Sequence, residues 1–363
     1  MTGRNTFWRG KTVLITGHTG FKGAWLSAWL LALGANLHGL SRDVPTTPSA
    51  WALTHLDEDV ATTWGDIRDA SVVRATFLRV DPEVVVHMAA QPFVRRSYSE
   101  PVETFETNVL GTVNVLEAAR ASEHLRVVVN VTSDKCYRNE PALMPFGEGA
   151  PMGGADPYSA SKGCAELVAE SYARSFFAAS ETSLVSARAG NVIGGGDWGE
   201  DRLVPDLMRA AVTGTPVRLR DPAATRPWQH VLNPLSGYLT LAERAWVDPS
   251  IGGGWNFGPA EAQSASVGQV AEAVAAIWGG APLFALPVGD HPDDPAEATT
   301  LSIDSSKARE QLAWESRWDL DASILHTTEW YRHVAQGGSA RDVTLSQIQS
   351  FIDSPAVATR RRS

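Results

Sequence analysis

The feature that most constrains this chain is an apolar run that ends on a glycine-spaced turn and opens directly into a helix. Thr12-Val13-Leu14-Ile15-Thr16 reads as a buried strand. Gly17-His18-Thr19-Gly20-Phe21-Lys22-Gly23 follows, and residues 24–33 read as a helix stopped by Gly34. The first glycine of such a turn permits the tight bend. The second lets a pyrophosphate approach the backbone, and the third lets the helix pack closely on the sheet. The helix N-terminus adds N–H donors and partial positive charge. The segment from Gly17 to Gly23, with Thr19, Gly20 and Phe21 inside it, therefore predicts dinucleotide binding. His18 and Lys22 either add positive charge beside the pyrophosphate or lie on the surface.

Short apolar runs alternate with helical patterns through the first half. Residues 36–40, 84–88, 127–131 and 183–188 read as strands, and 107–120 and 158–178 as helices. Runs that are apolar on both faces belong in a parallel sheet covered on both sides. The expected fold class is α/β: a Rossmann-like doubly wound parallel sheet with a smaller C-terminal substrate-binding lobe. Residues 1–190 form the dinucleotide-binding domain, with a later return crossing near 228–258, and 191–340 form mainly the second lobe. The tail 355–363 reads as disordered. Asp66 and Ile67, in Gly65-Asp66-Ile67-Arg68-Asp69, sit where an adenine-contacting carboxylate could lie. At the end of the second strand, Asp43 favours the ribose hydroxyls of NAD and Arg42 the extra phosphate of NADP, so both cofactors stay open.

Composition excludes several other classes. The chain has 363 residues, with 31 basic against 41 acidic side chains and a formal charge of -10. Such a balance argues against a nucleic-acid-binding surface. Two cysteines, Cys136 and Cys164, make no disulfide framework and suit a cytoplasmic protein. No apolar run reaches the ~18 residues of a membrane span. Residues 1–10 are polar, without a signal-peptide core. Nine histidines show no helical zinc spacing, so no metal site is expected.

Tyr158-Ser159-Ala160-Ser161-Lys162 places a phenol and an ammonium at i and i+4 on one helix face. A nearby ammonium stabilises phenolate, which yields a base for an alcohol hydroxyl at neutral pH. That spacing is common by chance as a surface pair. Here it follows the glycine turn and a strand that ends in Thr132-Ser133-Asp134.

With these residues in place, the chain resembles the extended short-chain dehydrogenase/reductases, and among them the nucleotide-sugar 4,6-dehydratases. The carriers are the glycine turn, Met88-Ala89-Ala90-Gln91-Pro92, Thr132-Ser133-Asp134-Lys135-Cys136-Tyr137, Tyr158 with Lys162-Gly163-Cys164-Ala165-Glu166, Arg188-Ala189-Gly190-Asn191-Val192-Ile193-Gly194-Gly195-Gly196-Asp197-Trp198, Arg226-Pro227-Trp228-Gln229-His230-Val231 and Trp255-Asn256-Phe257-Gly258-Pro259. The resemblance implies NAD as cofactor and a nucleotide sugar as substrate. Hydride leaves C4 for the nicotinamide, water is lost across C5 and C6, and the hydride returns to C6. Tyr158 would take the C4 hydroxyl proton, Lys162 would orient the ribose and tune Tyr158, and Ser133 would bond the C4 oxygen. Asp134 would protonate the leaving hydroxyl, and Lys135 would take the C5 proton if neutral. Its alternative role is an ion pair with Asp134.

By the same resemblance Ala89, Ala90, Gln91 and Asn108 join the cofactor set. Gln91, Arg96, Ser133, Asn191, Trp198, Arg202, Arg226, Asn256 and Glu297 form the substrate set. A homodimer or higher oligomer is implied, through the helices near 107–120 and 158–178. The rival readings are a 4-epimerase, a 4,6-dehydratase for a different nucleotide sugar, and a dinucleotide-sensing binding protein without turnover.

Overall fold

The computed structural model describes residues 6–138, 145–259, 265–280, 282–286 and 302–357. β1 (Thr12–Thr16) passes through the glycine turn into α1 (Phe21–Ala32) and back to β2 (Asn36–Ser41). A short α2 (Ala50–Leu53) precedes β3 (Ala61–Trp64), and α3 (Ala70–Val80) leads to β4 (Val84–His87). α4 (Val94–Ser99) and α5 (Pro101–Phe105) run through a wide π-type turn at Glu106–Leu110 into α6 (Gly111–Arg120). The uniform helix expected over 107–120 is thus interrupted at its start. β5 (Val127–Val131) follows. α7 (Pro157–Tyr172) ends in a second wide turn, Ala173–Phe177, before β6 (Ser183–Arg188).

The second half begins with β7 (Val192–Ile193), α8 (Leu203–Thr213), β8 (Val217–Arg218), β9 (Thr225–Arg226) and β10 (Gln229–His230). α9 (Leu232–Val247) then packs against β5 and β6, and β11 (Gly253–Asn256) pairs with β6. β12 (Ala265–Ser266), α10 (Val267–Trp278), β13 (Phe284–Ala285), α11 (Ser306–Leu312), α12 (Leu320–Ala335) and α13 (Ala340–Asp353) complete the described chain.

The main sheet has seven strands in the order β11-β6-β5-β4-β1-β2-β3, all parallel. Alternate residues serve opposite faces. Val127 and Val129 join one cluster with Trp25, Leu235 and Leu239, whereas Val128 joins the other with Val115, Leu116 and Ala169. Both faces are therefore apolar, which is why β5 is buried at every position. Strand order reverses between β1 and β4, and such a crevice at the carboxyl ends is where ligands bind in open α/β sheets. Thr16 pairs with His87, and Val131 with Ala187. That register sets Gly17, Met88, Thr132 and Arg188 at neighbouring strand ends. No helix among the described residues is long and apolar enough to cross a membrane.

Candidate active site

A cleft of about 1500 Å³ opens over those strand ends. The glycine turn forms one wall. Gly17 has φ +74°, and a side chain there would meet the Ala89 backbone at 2.7 Å. At Gly23 a Cβ would stand 2.3 Å from the Gly17 carbonyl oxygen. Only glycine allows either approach. α1 starts at Gly20 with no side-chain cap and no acidic residue in its first turn. Its leading N–H groups are left for an anion, so the cradle fits a dinucleotide pyrophosphate.

His18 contributes differently from the expectation. It is fully buried, its Nδ1 sits 2.8 Å from Ser41 Oγ and its Nε2 2.9 Å from Thr62 Oγ1. Burial foremost, with the charge of His38, brings it down to about 4. A neutral, buried imidazole adds no positive charge to a pyrophosphate. It fills the space under Gly39, where a Cβ would meet its ring at 2.3 Å. Lys22, by contrast, lines the cleft. Burial lowers it to about 8, and the charges of Asp134, Arg202 and Lys162 act on it, so it faces the catalytic end rather than open solvent.

Thr19, Phe21, Asp43, Asp66, Ile67, Ala89, Ala90 and Gln91 all line the cleft. Asn108 does not. Its Oδ1 accepts from Gln91 N at 2.8 Å, and its Nδ2 donates to the Gln91 carbonyl and to Ser161 Oγ. With both side-chain polar atoms engaged, Asn108 clamps the Ala89–Gln91 turn to α7 and stands behind the cleft lining. The Gln91 side chain is likewise turned inward, to Phe93 and Thr104. Arg42 is held by Asp43 and Glu103, each at 2.9 Å. A guanidinium committed to carboxylates is a poor receptor for the 2′-phosphate of NADP.

The candidate catalytic segment springs from β5. Ser133 is buried, its Oγ donates to Asp134 Oδ1 at 3.0 Å, and it accepts from Lys135 N at 3.3 Å. Asp134 is 1 % exposed and its Oδ2 has no partner among the described residues. No ion pair joins Lys135 to Asp134 among those residues. Asp156 caps α7 by accepting from Ser159 N at 2.9 Å, and Pro157 stands in its first turn. This fixes Tyr158 and Lys162 toward the same cleft.

Their electrostatics correct the expectation. Burial pushes Tyr158 up to about 12, with a hydrogen bond to Ser133 and the charge of Arg202 acting the other way. Lys162 is lowered to about 8 by burial, against support from Glu166. In the protein alone, desolvation outweighs the Ser133 hydrogen bond and the Arg202 charge.

Asn191, Trp198, Arg202, Arg226 and Arg96 line the far half of the cleft. Asn191 Nδ2 and Trp198 Nε1 are buried donors without partners among the described residues. Arg202 pairs with Asp197 at 2.9 Å, and Arg96 with Glu100 at 2.6 Å. Asn256 is a correction. It is fully buried behind the cleft, accepting from Tyr137 Oη at 2.7 Å and donating to the Phe146 and Asp304 carbonyls. Both side-chain polar atoms are engaged there and Asn256 is not among the residues lining the cleft, so in this structure it acts as a brace. Glu297 lies outside the described residues.

Two residues that matter here went unassigned in the sequence. Glu166, one turn beyond Lys162, accepts from Thr132 Oγ1 and from Arg188 Nη2, the latter at 2.7 Å. This buried pair ties α7 to the ends of β5 and β6 directly beneath the catalytic segment. The i+4 spacing from Lys162 was the available signal.

A family model described as GDP-mannose 4,6 dehydratase matches residues 14–327. The chain belongs to that family. Within its reach, the chain is 43% identical to a CDP-glucose 4,6-dehydratase of Salmonella typhimurium, over 98% of this chain and 99% of the relative. It is 28% identical to a UDP-glucose 4-epimerase of Mycolicibacterium smegmatis, over 89% and 99%. Among solved structures, the UDP-glucose 4-epimerase of Thermus thermophilus in complex with NAD superposes with a TM-score of 0.74 at 27% identity, covering 88% of this chain and 98% of that one. The family thus spans 4,6-dehydratases, and its fold is shared with 4-epimerases.

Proposed function

We propose that this chain is a CDP-glucose 4,6-dehydratase that uses NAD and converts CDP-glucose to CDP-4-dehydro-6-deoxyglucose. The carrying observation is the Asp134–Lys135 pair in the same cleft as Ser133, Tyr158 and Lys162. A 4-epimerase needs no acid–base pair for C5 and C6. The near-full-length identity to a CDP-glucose 4,6-dehydratase supports the choice of nucleotide, and the paired Arg42 supports NAD over NADP. The uncapped start of α1 and the Gly17, Gly20 and Gly23 turn would hold NAD, which when bound would supply the hydride acceptor at C4 and the donor at C6.

The chain's own groups then divide the proton work. Tyr158 takes the C4 hydroxyl proton, and Ser133 holds that oxygen. Lys162, with Arg202 nearby, offsets the negative charge that develops on the phenol. Lys135 removes the C5 proton that the 4-keto group has acidified. Asp134 delivers a proton to the C6 hydroxyl, which leaves as water. Asn191 and Arg226 hold the diphosphate and sugar.

The protein is further inferred to act in the cytoplasm as a homodimer. Val102, Phe105, Leu110, Leu167 and Phe176 form an exposed apolar face along α5, the two wide turns and α7. A second copy of the same face would cover it. The substrate reading is tested with NAD and a panel of CDP-, dTDP-, UDP- and GDP-glucose. Loss of water from CDP-glucose at the highest kcat/KM is expected. Preference for another nucleotide would overturn the substrate, and mass-neutral conversion would favour the epimerase.

A further inference from the structure

Tyr238 lies on α9, which packs against β5 and β6. It is 1 % exposed, and its hydroxyl has no hydrogen-bond partner among the described residues. A buried hydroxyl without a partner is destabilising, so phenylalanine would serve better if packing were the only requirement. Asp134 shows the complementary defect. One carboxyl oxygen accepts from Ser133, while Oδ2 is buried and unpartnered.

A short packing chain links the two. The Asp134 carboxyl occupies the space beside Gly190, where a Cβ would lie 1.7 Å from Oδ2. Gln229 donates to the Gly190 and Phe257 carbonyls at 3.3 and 2.8 Å. The Phe257 ring packs edge-on against Tyr238, with centroids 5.8 Å apart. Burial first, and then the charges of Asp134 and Tyr158, hold the Tyr238 phenol in its protonated form. It is therefore available as a neutral O–H donor in the layer that packs under β5, the strand leading to Asp134.

We propose that Tyr238 is a positioning residue for the elimination step, its O–H turning to Asp134 Oδ2 as that carboxyl becomes an anion. The inference rests on the dehydratase reading. In that step Asp134 gives its proton to the C6 hydroxyl oxygen, and the C6–O bond breaks with water leaving. Lys135 takes the C5 proton, and the C5–H electron pair becomes the C5=C6 bond. Asp134 is then a buried carboxylate with no ion-pair partner among the described residues. The Tyr238 hydroxyl supplies the missing donor at that moment, by a bond that is not made in the free protein and forms in the complex. C4 oxidation, in which Tyr158 is the base, makes no such demand.

The test is Tyr238→Phe in the full-length protein with NAD, mixed with CDP-glucose in a single turnover. NADH absorbance reports C4 oxidation, and mass spectrometry reports water loss. NADH should form at close to the wild-type rate and persist, with elimination slowed about 10- to 100-fold. KM should be unchanged, and Tm unchanged or higher. In an Asp134→Asn background the same substitution should have no further effect on elimination, whereas additive losses would refute the coupling. Equal slowing of both steps, or of neither, overturns the proposal. Wild-type protein that removes no water overturns the dehydratase reading instead, so the two failures are distinguishable.

Discussion

Gly190→Ala places one methyl group in the space that the Asp134 carboxyl fills. Gly190 follows β6, and its missing side chain is where that carboxyl rests. A Cβ there would lie 1.7 Å from Oδ2, 2.0 Å from Cγ and 2.4 Å from Oδ1. Ordinary contact begins near 3.4 Å, so the carboxyl must retreat by roughly 1.5 Å in a close-packed interior. Ser133 and the buried strand ends leave it little room to do so. Misplacing a catalytic group by about 1 Å is sufficient to lose roughly 10²-fold in rate. The overpacking itself destabilises by about 1–3 kcal/mol. Gly190→Ala is therefore expected to fold, to melt a few degrees lower, and to lose about two orders of magnitude in kcat for water loss from CDP-glucose. The assay is initial-rate formation of the 4-keto sugar at saturating NAD, beside a melting curve. A Gly190→Ala protein with wild-type kcat would refute the placement of Asp134 as the acid.

Three further outcomes are expected. Lys162 is charged at neutral pH in the unfolded chain, and burial lowers it from 10.5 to about 8 in the folded one. Its folding penalty is thus full below pH 8 and relieved as pH rises toward 10.5. Lys162→Met should abolish turnover yet raise Tm at pH 7, and melting curves should show the gain shrinking through that window. Releasing Arg42 with Asp43→Ser and Glu103→Gln should cut the preference for NAD over NADP by about tenfold or more, read from dissociation constants. Phe105→Asp with Leu167→Asp places charge on the exposed apolar face, and light scattering should then report a monomer.

The parallel sheet was legible because its strands are apolar on both faces. The segments 12–16, 127–131 and 183–188 coincide with β1, β5 and β6. α3 was missed because only Val73, Thr76 and Phe77 of it are buried, which leaves a weak apolar stripe. α13 was missed for a similar reason, since polar residues such as Thr344 and Gln347 share its buried face.

Within the site, Ser133, Asp134, Lys135, Tyr158 and Lys162 could be proposed from residue type and spacing, and the structure brings them into one cleft. Their supports could not be. His18, Asn108 and Asn256 carry polar groups that suit a ligand as well as a buried brace. Only the partners they meet across the fold show that they are braces. The electrostatics were also out of reach, because the rise of Tyr158 comes from burial, which spacing along one helix does not report.

The central claim is that one site oxidises C4, expels water from C5 and C6, and returns the same hydride to C6. CDP-glucose deuterated at C4, incubated with the protein and NAD, tests it most directly. The account predicts a product one water lighter that carries the deuterium at C6, with no net NADH. A product of unchanged mass, or one whose deuterium has been lost to solvent or to free cofactor, would contradict it.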